Sequence, residues 1–66
     1  MTVLVNSIPK ELESGTTVEL LIAELGLEKQ PCAVEVNRTL VPKKSHAAHT
    51  LKPGDAVEIV TLVGGG

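Results

Sequence analysis

Residues 16–28, TTVELLIAELGLE, contain the clearest helical pattern in the chain. Apolar side chains recur there at intervals of three and four residues, which places them on one face of a helix. These positions are Val18, Leu21, Ile22 and Leu25. Gly26 follows the stripe, and glycine often ends a helix because it adopts a left-handed conformation at little steric cost. The pattern predicts a helix over residues 17–25.

Thr16 is predicted to cap the start of this helix. Thr16 and Glu19 have the spacing of a capping box, in which each side chain satisfies a free backbone amide of the first turn. The apolar stripe needs one apolar sheet face to cover it. The segments on either side of the helix are therefore expected to be strands of one sheet.

Two strand-like runs precede the helix. Residues 2–6 and 8–13 are separated by the tight-turn pair Asn6-Ser7, and together they predict a hairpin. Proline cannot donate a hydrogen bond to a strand ladder. Pro9 therefore predicts that the second run lies at an edge of the sheet or begins a strand.

A second hairpin is predicted after the helix. Residues 33–37 and 39–41 flank a tight reversal at Asn37-Arg38. Residues 42–50, PKKSHAAHT, are polar and irregular, with room for one short helical turn.

The longest β run, residues 56–63, follows a strong turn signal, KPGD, at residues 52–55. We expect this strand to be central, because a small sheet needs one well-paired strand to organise it. The predicted order is β-β-α-β-β-β, an α+β fold with a mixed sheet of four to five strands packed on one main helix. Residues 1–63 are expected to form a single domain, and residues 64–66 a flexible glycine tail.

The composition argues against nucleic-acid binding. The chain of 66 residues has no Phe, Tyr or Trp, and its formal net charge is -2. Proteins that bind single-stranded nucleic acids usually stack bases on aromatic rings and follow the backbone with positive charge. Neither feature is available to this chain.

Cysteine usage and hydropathy favour a cytoplasmic protein. With Cys32 as the only cysteine, an intramolecular disulfide and a cysteine-based zinc site are both excluded. The first residues have neither the basic region nor the apolar run of a signal peptide. No stretch approaches the roughly 20 apolar residues that span a bilayer. We therefore expect no membrane partner.

The remaining polar residues do not predict an active site. His46 and His49 are close enough in one helical turn to share a metal ion, but no third ligand lies nearby in the sequence. Both are expected to be ordinary solvated residues of an exposed loop. Cys32 has only Lys29 nearby to activate it, so a small hydrophobe or an exposed bystander is expected. The protein is predicted not to be an enzyme and to bind no metal.

The chain resembles a known family. The hairpin, helix, hairpin and glycine-ended last strand are similar to the β-grasp, or ubiquitin-like, superfamily. The closer resemblance is to the ThiS family of sulfur carriers in bacterial thiamine biosynthesis. Its most specific segments here are VNRTLVPK at residues 36–43 and KPGDAVEIV at residues 52–60. The chain departs from many members in its third glycine, Gly64, and in its lack of aromatic residues.

This resemblance implies that the carboxylate of Gly66 is the covalent site. In the family, an E1-like adenylyltransferase (ThiF-like) uses ATP to adenylate that glycine. Sulfur from a cysteine desulfurase, relayed as a persulfide, displaces AMP and leaves a thiocarboxylate. The thiocarboxylate supplies sulfur to a ThiG-like thiazole synthase, and the carrier itself binds no cofactor. Gly64 and Gly65 would be access residues, since glycine can enter a narrow channel in extended form.

The last strand also predicts a docking surface. Alternate residues of a strand face opposite sides of the sheet. Val57 and Ile59 are expected to face the helix, which leaves Glu58, Val60 and Leu62 outward. A small apolar patch next to the tail favours partner docking over scattered surface aliphatics.

Three alternatives remain open. The same tail chemistry would serve a carrier for molybdopterin or another metabolite, although the short chain and the segment from residue 36 to residue 55 favour thiamine. A ubiquitin-like modifier would be joined through Gly66 to lysines of its targets. A β-grasp binding module without tail chemistry would keep its function after removal of Gly65 and Gly66.

Overall fold

The computed structural model describes residues 1–62 of the chain. In chain order the elements are β1 Thr2–Val5, β2 Ile8–Glu11, α1 Val18–Glu24, β3 Cys32–Val36, β4 Thr39–Val41, a 3₁₀ turn Lys43–Ser45, and β5 Ala56–Thr61. The predicted order of strands and helix is confirmed. The short helical turn predicted within residues 42–50 is also confirmed.

The five strands form one sheet in the order β2-β1-β5-β3-β4. β1 and β5 run parallel, whereas the other neighbouring pairs are antiparallel. β5 is therefore the central strand, as predicted, and β2 with Pro9 lies at an edge. β2 ends at Glu11 rather than at residue 13.

The core lies between α1 and one face of the sheet. The helix buries Val18, Leu21 and Ile22, whereas Leu25 is only partly buried. The other core residues are Val3, Leu12, Val34, Val36, Val41, Leu51, Val57 and Ile59. Because all of these side chains are aliphatic, the core depends on close packing of small branched groups rather than on large aromatic rings.

The start of α1 differs from the sequence-based prediction. The N-cap is Thr17, whose hydroxyl oxygen accepts a hydrogen bond from the Leu20 N–H at 3.2 Å. The carbonyl of Thr16 instead accepts from the Leu51 N–H at 2.9 Å. This tertiary contact holds Thr16 outside the helix, so the predicted capping box of Thr16 with Glu19 is wrong.

The end of α1 agrees with the prediction at Gly26. Gly26 has a φ of 74°, and its N–H donates to the Ala23 carbonyl at 3.0 Å. The Leu27 N–H donates to the Ile22 carbonyl, also at 3.0 Å. These two bonds form a Schellman motif, which satisfies carbonyls that the last helical turn leaves free.

Both predicted hairpin turns are confirmed. Asn6 and Ser7 have φ angles of 49° and 71°, and Asn37 and Arg38 have φ angles of 52° and 69°. Left-handed conformations at both central residues are typical of type I′ turns, whose twist matches that of the flanking strands.

Among residues 1–62, no helix is long and apolar enough to cross a bilayer.

Candidate functional site: the last strand and its outer face

The residues predicted to carry the chemistry lie at the end of the chain. Gly64, Gly65 and Gly66 fall outside the described residues, as does Val63, the predicted end of the last strand. The structure does describe the strand that leads to them, as far as Leu62. The candidate site is therefore built from β5 and from the groups that hold it.

The buried side of β5 agrees with the prediction. Val57 and Ile59 are both buried in the core beneath α1. Since side chains alternate along a strand, burial of these two residues fixes which residues point away from the core. A register shift of one residue would place Glu58 in the core, so the packing specifies the register strongly.

β3 supports β5 over its whole length. The antiparallel register runs from Val36 opposite Val57 to Cys32 opposite Thr61. The Leu62 N–H then donates to the carbonyl of Pro31 at 2.9 Å, which extends the pairing by one more residue.

β1 supports only the first part of β5. The parallel register consists of Leu4 opposite Ala56 and Val5 opposite Val57. At Asn6 the chain turns away toward β2, and the Asn6 N–H makes its last ladder bond to the Val57 carbonyl at 2.8 Å.

The side chain of Asn6 continues the ladder after β1 has turned away. Its Oδ1 accepts from the Ile59 N–H at 2.8 Å, and its Nδ2 donates to the Ile59 carbonyl at 3.2 Å. A primary amide matches a peptide group in donor and acceptor. Asn6 therefore binds Ile59 as a further strand residue would.

Asn37 holds the beginning of β5 in a similar way. Its Oδ1 accepts from the Ala56 N–H at 3.0 Å, and its Nδ2 donates to Asp55 Oδ1 at 2.9 Å. The buried carboxylate of Asp55 also accepts from the Lys52 N–H at 2.8 Å. Asn37 and Asp55 thus serve turns, as their sequence context suggests, and they also connect the second hairpin to β5.

The predicted docking residues are exposed. Val60 is 58% and Leu62 53% exposed, and Glu58 is also exposed. Their outward orientation is confirmed, while their role in docking stays a prediction. Register places Ala33 opposite Val60 and Glu35 opposite Glu58.

Leu40, which lies opposite Glu35 on β4, is a further exposed apolar residue on this side of the sheet. We call this surface the outer face; its members are Ala33, Glu35, Leu40, Glu58, Val60 and Leu62. The contributions of β3 and β4 were not predictable from the sequence, because the residue that lies beside Glu58 depends on the pairing register.

Comparison with known proteins identifies the family. A model described as the ThiS family matches residues 3–66. The chain belongs to the ThiS family. The "Sulfur carrier protein ThiS" of Escherichia coli is 27% identical over 66 residues, and the match covers 100% of both chains.

A solved structure of the thiamine biosynthesis protein ThiS from Geobacter metallireducens is also similar. It is 30% identical, covers 100% of both chains and has a TM-score of 0.84, which confirms the β-grasp fold. Membership of the ThiS family also supports the prediction that this domain is not an enzyme.

A further relative is larger than this chain. The "Thiazole synthase" of Paramagnetospirillum magneticum is 39% identical over 66 residues, which is 100% of this chain but 20% of that protein. The chain therefore spans about a fifth of the length of this relative.

The histidines of this ThiS-family chain differ from their predicted setting. His46 is only 8% exposed, and its Nε2 lies 3.1 Å from the Val41 carbonyl oxygen. The backbone carbonyls of His46 and His49 accept hydrogen bonds from Glu19 and Val18, the first amides of α1. The expectation of a solvated loop residue is therefore wrong for His46, because this loop packs against the start of the helix, whereas His49 is half-buried.

The structure supports no metal site at these histidines. Within residues 1–62, no group of three or more His, Cys, Asp or Glu side chains is arranged to hold a metal ion. Cys32 is half-buried in β3, and its Sγ lies 3.4 Å from the Gln30 carbonyl oxygen.

The outer face contains an unfavourable pair of charges. Glu35 and Glu58 lie directly opposite each other on neighbouring strands, and like charges in such a pair are destabilising. Glu58→Gln should therefore raise the free energy of unfolding by about 0.2–1 kcal/mol at low salt. When the free energy of unfolding is measured by urea denaturation, this gain in stability should be smaller in 1 M salt than at low salt. The two charges are then screened from each other, because the screening length in 1 M salt is about 3 Å.

The control for this variant is Glu13→Gln, at an exposed position outside the sheet. It should leave the free energy of unfolding nearly unchanged. A loss of stability in Glu58→Gln would contradict the assignment of Glu35 and Glu58 as a repulsive pair.

Proposed function

We propose that the protein is a sulfur carrier for thiazole formation in thiamine biosynthesis, and that the carboxylate of Gly66 carries the sulfur. The observation that carries this proposal is the ThiS-family match, which extends to Gly66. The match to the sulfur carrier of Escherichia coli, which spans all of both chains, supports it further.

The chemistry requires a partner that uses ATP. An α-carboxyl group has a pKa of about 3.3–3.7 and is ionised at neutral pH, which makes it a poor electrophile. The Gly66 carboxylate attacks the α-phosphorus of ATP, pyrophosphate leaves, and an acyl adenylate forms. An E1-like, ThiF-like adenylyltransferase supplies this site.

Sulfur transfer then breaks the bond between the acyl carbon and AMP. With a persulfide from a cysteine desulfurase as donor, the terminal sulfur attacks the acyl carbon and AMP leaves. The resulting acyl disulfide is cleaved by a second thiol, which is thereby oxidised to a disulfide. The Gly66 thiocarboxylate that remains is the form that donates sulfur to thiazole synthase.

A thiazole synthase is the favoured acceptor. A protein named thiazole synthase in Paramagnetospirillum magneticum contains a segment similar to this whole chain within a much longer sequence. Two activities joined in one chain in one organism often act together as separate chains in another. This observation favours thiamine over molybdopterin, whereas the tail alone suits both.

The outer face is the proposed docking surface for the activating enzyme. Val60 and Leu62 present apolar area on the strand that leads to Gly66, and burial of exposed aliphatic side chains drives most protein association. Glu35 and Glu58 add two negative charges to the outer face. A partner with a cationic side chain at this position would remove their mutual repulsion on binding.

Leu62→Asp should raise the KM of the activating enzyme for the carrier about tenfold or more. Burial of an aliphatic side chain contributes about 1.5–3 kcal/mol to binding, and about 1.4 kcal/mol corresponds to a tenfold change in affinity. The measurement is ATP–pyrophosphate exchange at varied carrier concentration. The matched control is Leu20→Asp on α1, because Leu20 and Leu62 are both 53% exposed. Equal effects of the two variants would reject docking at the outer face.

Gly65→Val should slow adenylation by more than about tenfold, because a β-branched side chain obstructs an extended segment in a narrow channel; tenfold corresponds to about 1.4 kcal/mol. The same exchange assay measures it. Gly64→Val should slow adenylation less, because residue 64 is one position further from the carboxylate.

The free energy of unfolding of these variants should match that of the wild type, since the glycines they replace have no side chain that could contribute to a core. Adenylation of Gly65→Val at the wild-type rate would rule out the access role. Addition of one residue after Gly66 should abolish exchange, because the carboxylate of Gly66 is then an amide.

A further inference from the structure

The two sides of β5 are supported unequally as the strand approaches Leu62. On the β3 side, pairing continues to Thr61 and then to the hydrogen bond between Leu62 and Pro31. On the β1 side, the strand pairing ends at Val57. Ile59 is therefore the last residue of β5 within residues 1–62 whose backbone is bound on the β1 side, and its partner there is the Asn6 side chain.

Asn6 is suited to this role in two independent ways. Its amide supplies both the donor and the acceptor that a peptide group needs. Asparagine also tolerates the left-handed conformation that this turn requires, with a φ of 49°. Aspartate would keep the acceptor but would turn a second oxygen toward the Ile59 carbonyl. Glycine would keep the turn and remove both hydrogen bonds.

We propose that Asn6 is a positioning residue, which fixes the direction of β5 beyond Ile59 so that the chain after it meets the activating enzyme correctly. This inference rests on the proposed function. Without Asn6, residues 58–62 would be held by β3 alone, and the strand could pivot about that single ladder. A reacting group misplaced by about 1 Å can lose roughly a hundredfold in rate, so a small change in direction is sufficient to matter.

Asn37 provides a matched comparison within the same chain. It occupies the equivalent position of the other hairpin turn, with a φ of 52°, and its side chain also binds β5. Its contacts, however, are at Ala56, the first residue of the strand, and at Asp55. Asn37→Gly therefore removes similar hydrogen bonds far from Leu62.

The test compares Asn6→Gly with Asn37→Gly by two measurements on the full chain. Amide hydrogen exchange by NMR reports how firmly Ile59 and Leu62 are held. ATP–pyrophosphate exchange with the E1-like enzyme reports how well the carrier is used. Asn6→Gly should speed exchange of the Ile59 and Leu62 amides relative to the core amide of Val34, and should lower kcat/KM about tenfold. Asn37→Gly should lower the overall stability. It should leave kcat/KM unchanged, and also the exchange of the Ile59 and Leu62 amides relative to that of Val34.

Two further variants test whether the effects of Asn6→Gly come only from a change in the fold of the turn. Ser7→Gly alters the same turn but keeps the Asn6 side chain, and should behave as the wild type in both assays. Asn6→Asp keeps only the acceptor and should fall between the wild type and Asn6→Gly.

The proposal is overturned if Asn6→Gly protects Ile59 as the wild type does. It is also overturned if Asn6→Gly lowers kcat/KM no more than Asn37→Gly or Ser7→Gly does. A wild-type chain that is no substrate for the E1-like enzyme contradicts the proposed function instead, and the amide exchange then still decides whether Asn6 holds the strand.

Discussion

The central position of β5 is the constraint on which the rest of the structure depends. The strand lies between β1 and β3, and its alternate side chains, Val57 and Ile59, complete the core beneath the helix. Burial of those two residues necessarily places Glu58, Val60 and Leu62 on the outer face. The packing that stabilises the domain therefore also presents the outer face of the strand that precedes the proposed sulfur site in the chain.

Hydrogen bonds of polar side chains supplement the packing of the small aliphatic core. Asn37 binds the first residue of β5 and Asn6 binds Ile59 further along the strand, and the buried Asp55 accepts from a side chain and from a backbone amide. Loop carbonyls satisfy the first amides of α1. Within the described residues no buried side-chain nitrogen or oxygen lacks a partner. Unpaired buried polar groups cost about 1–3 kcal/mol each, so a domain this small depends on such complete pairing.

Local patterns predicted much of this arrangement. The stripe of α1, the stop at Gly26 and both tight turns follow from short stretches of sequence, because spacing and left-handed turn residues act locally. The central place of β5 was predicted from its length relative to the other strands. The alternation of Val57 with Glu58 similarly predicted which side of the last strand is buried.

Features that depend on distant contacts were not predictable in this way. Thr16 resembles an N-cap by spacing, but its bond to Leu51 displaces the cap to Thr17. His46 resembles a solvated loop residue, yet its loop packs on the helix. The repeated Val-Asn pairs, at Asn6 and Asn37, were a signal in the sequence that could have suggested a shared role. Their hydrogen bonds to β5, however, depend on strand order and register.

In the proposed function, the chain that follows β5 is the working part of the molecule and the carboxylate of Gly66 is its reactive group. Intact-mass spectrometry of the protein isolated from its own cells tests this claim most directly. We expect a fraction of the molecules to have one C-terminal oxygen replaced by sulfur, located at Gly66 by fragmentation. An all-oxygen C-terminus in cells that are actively making thiamine, or Gly66 found in amide linkage to lysines of other proteins, would contradict the account.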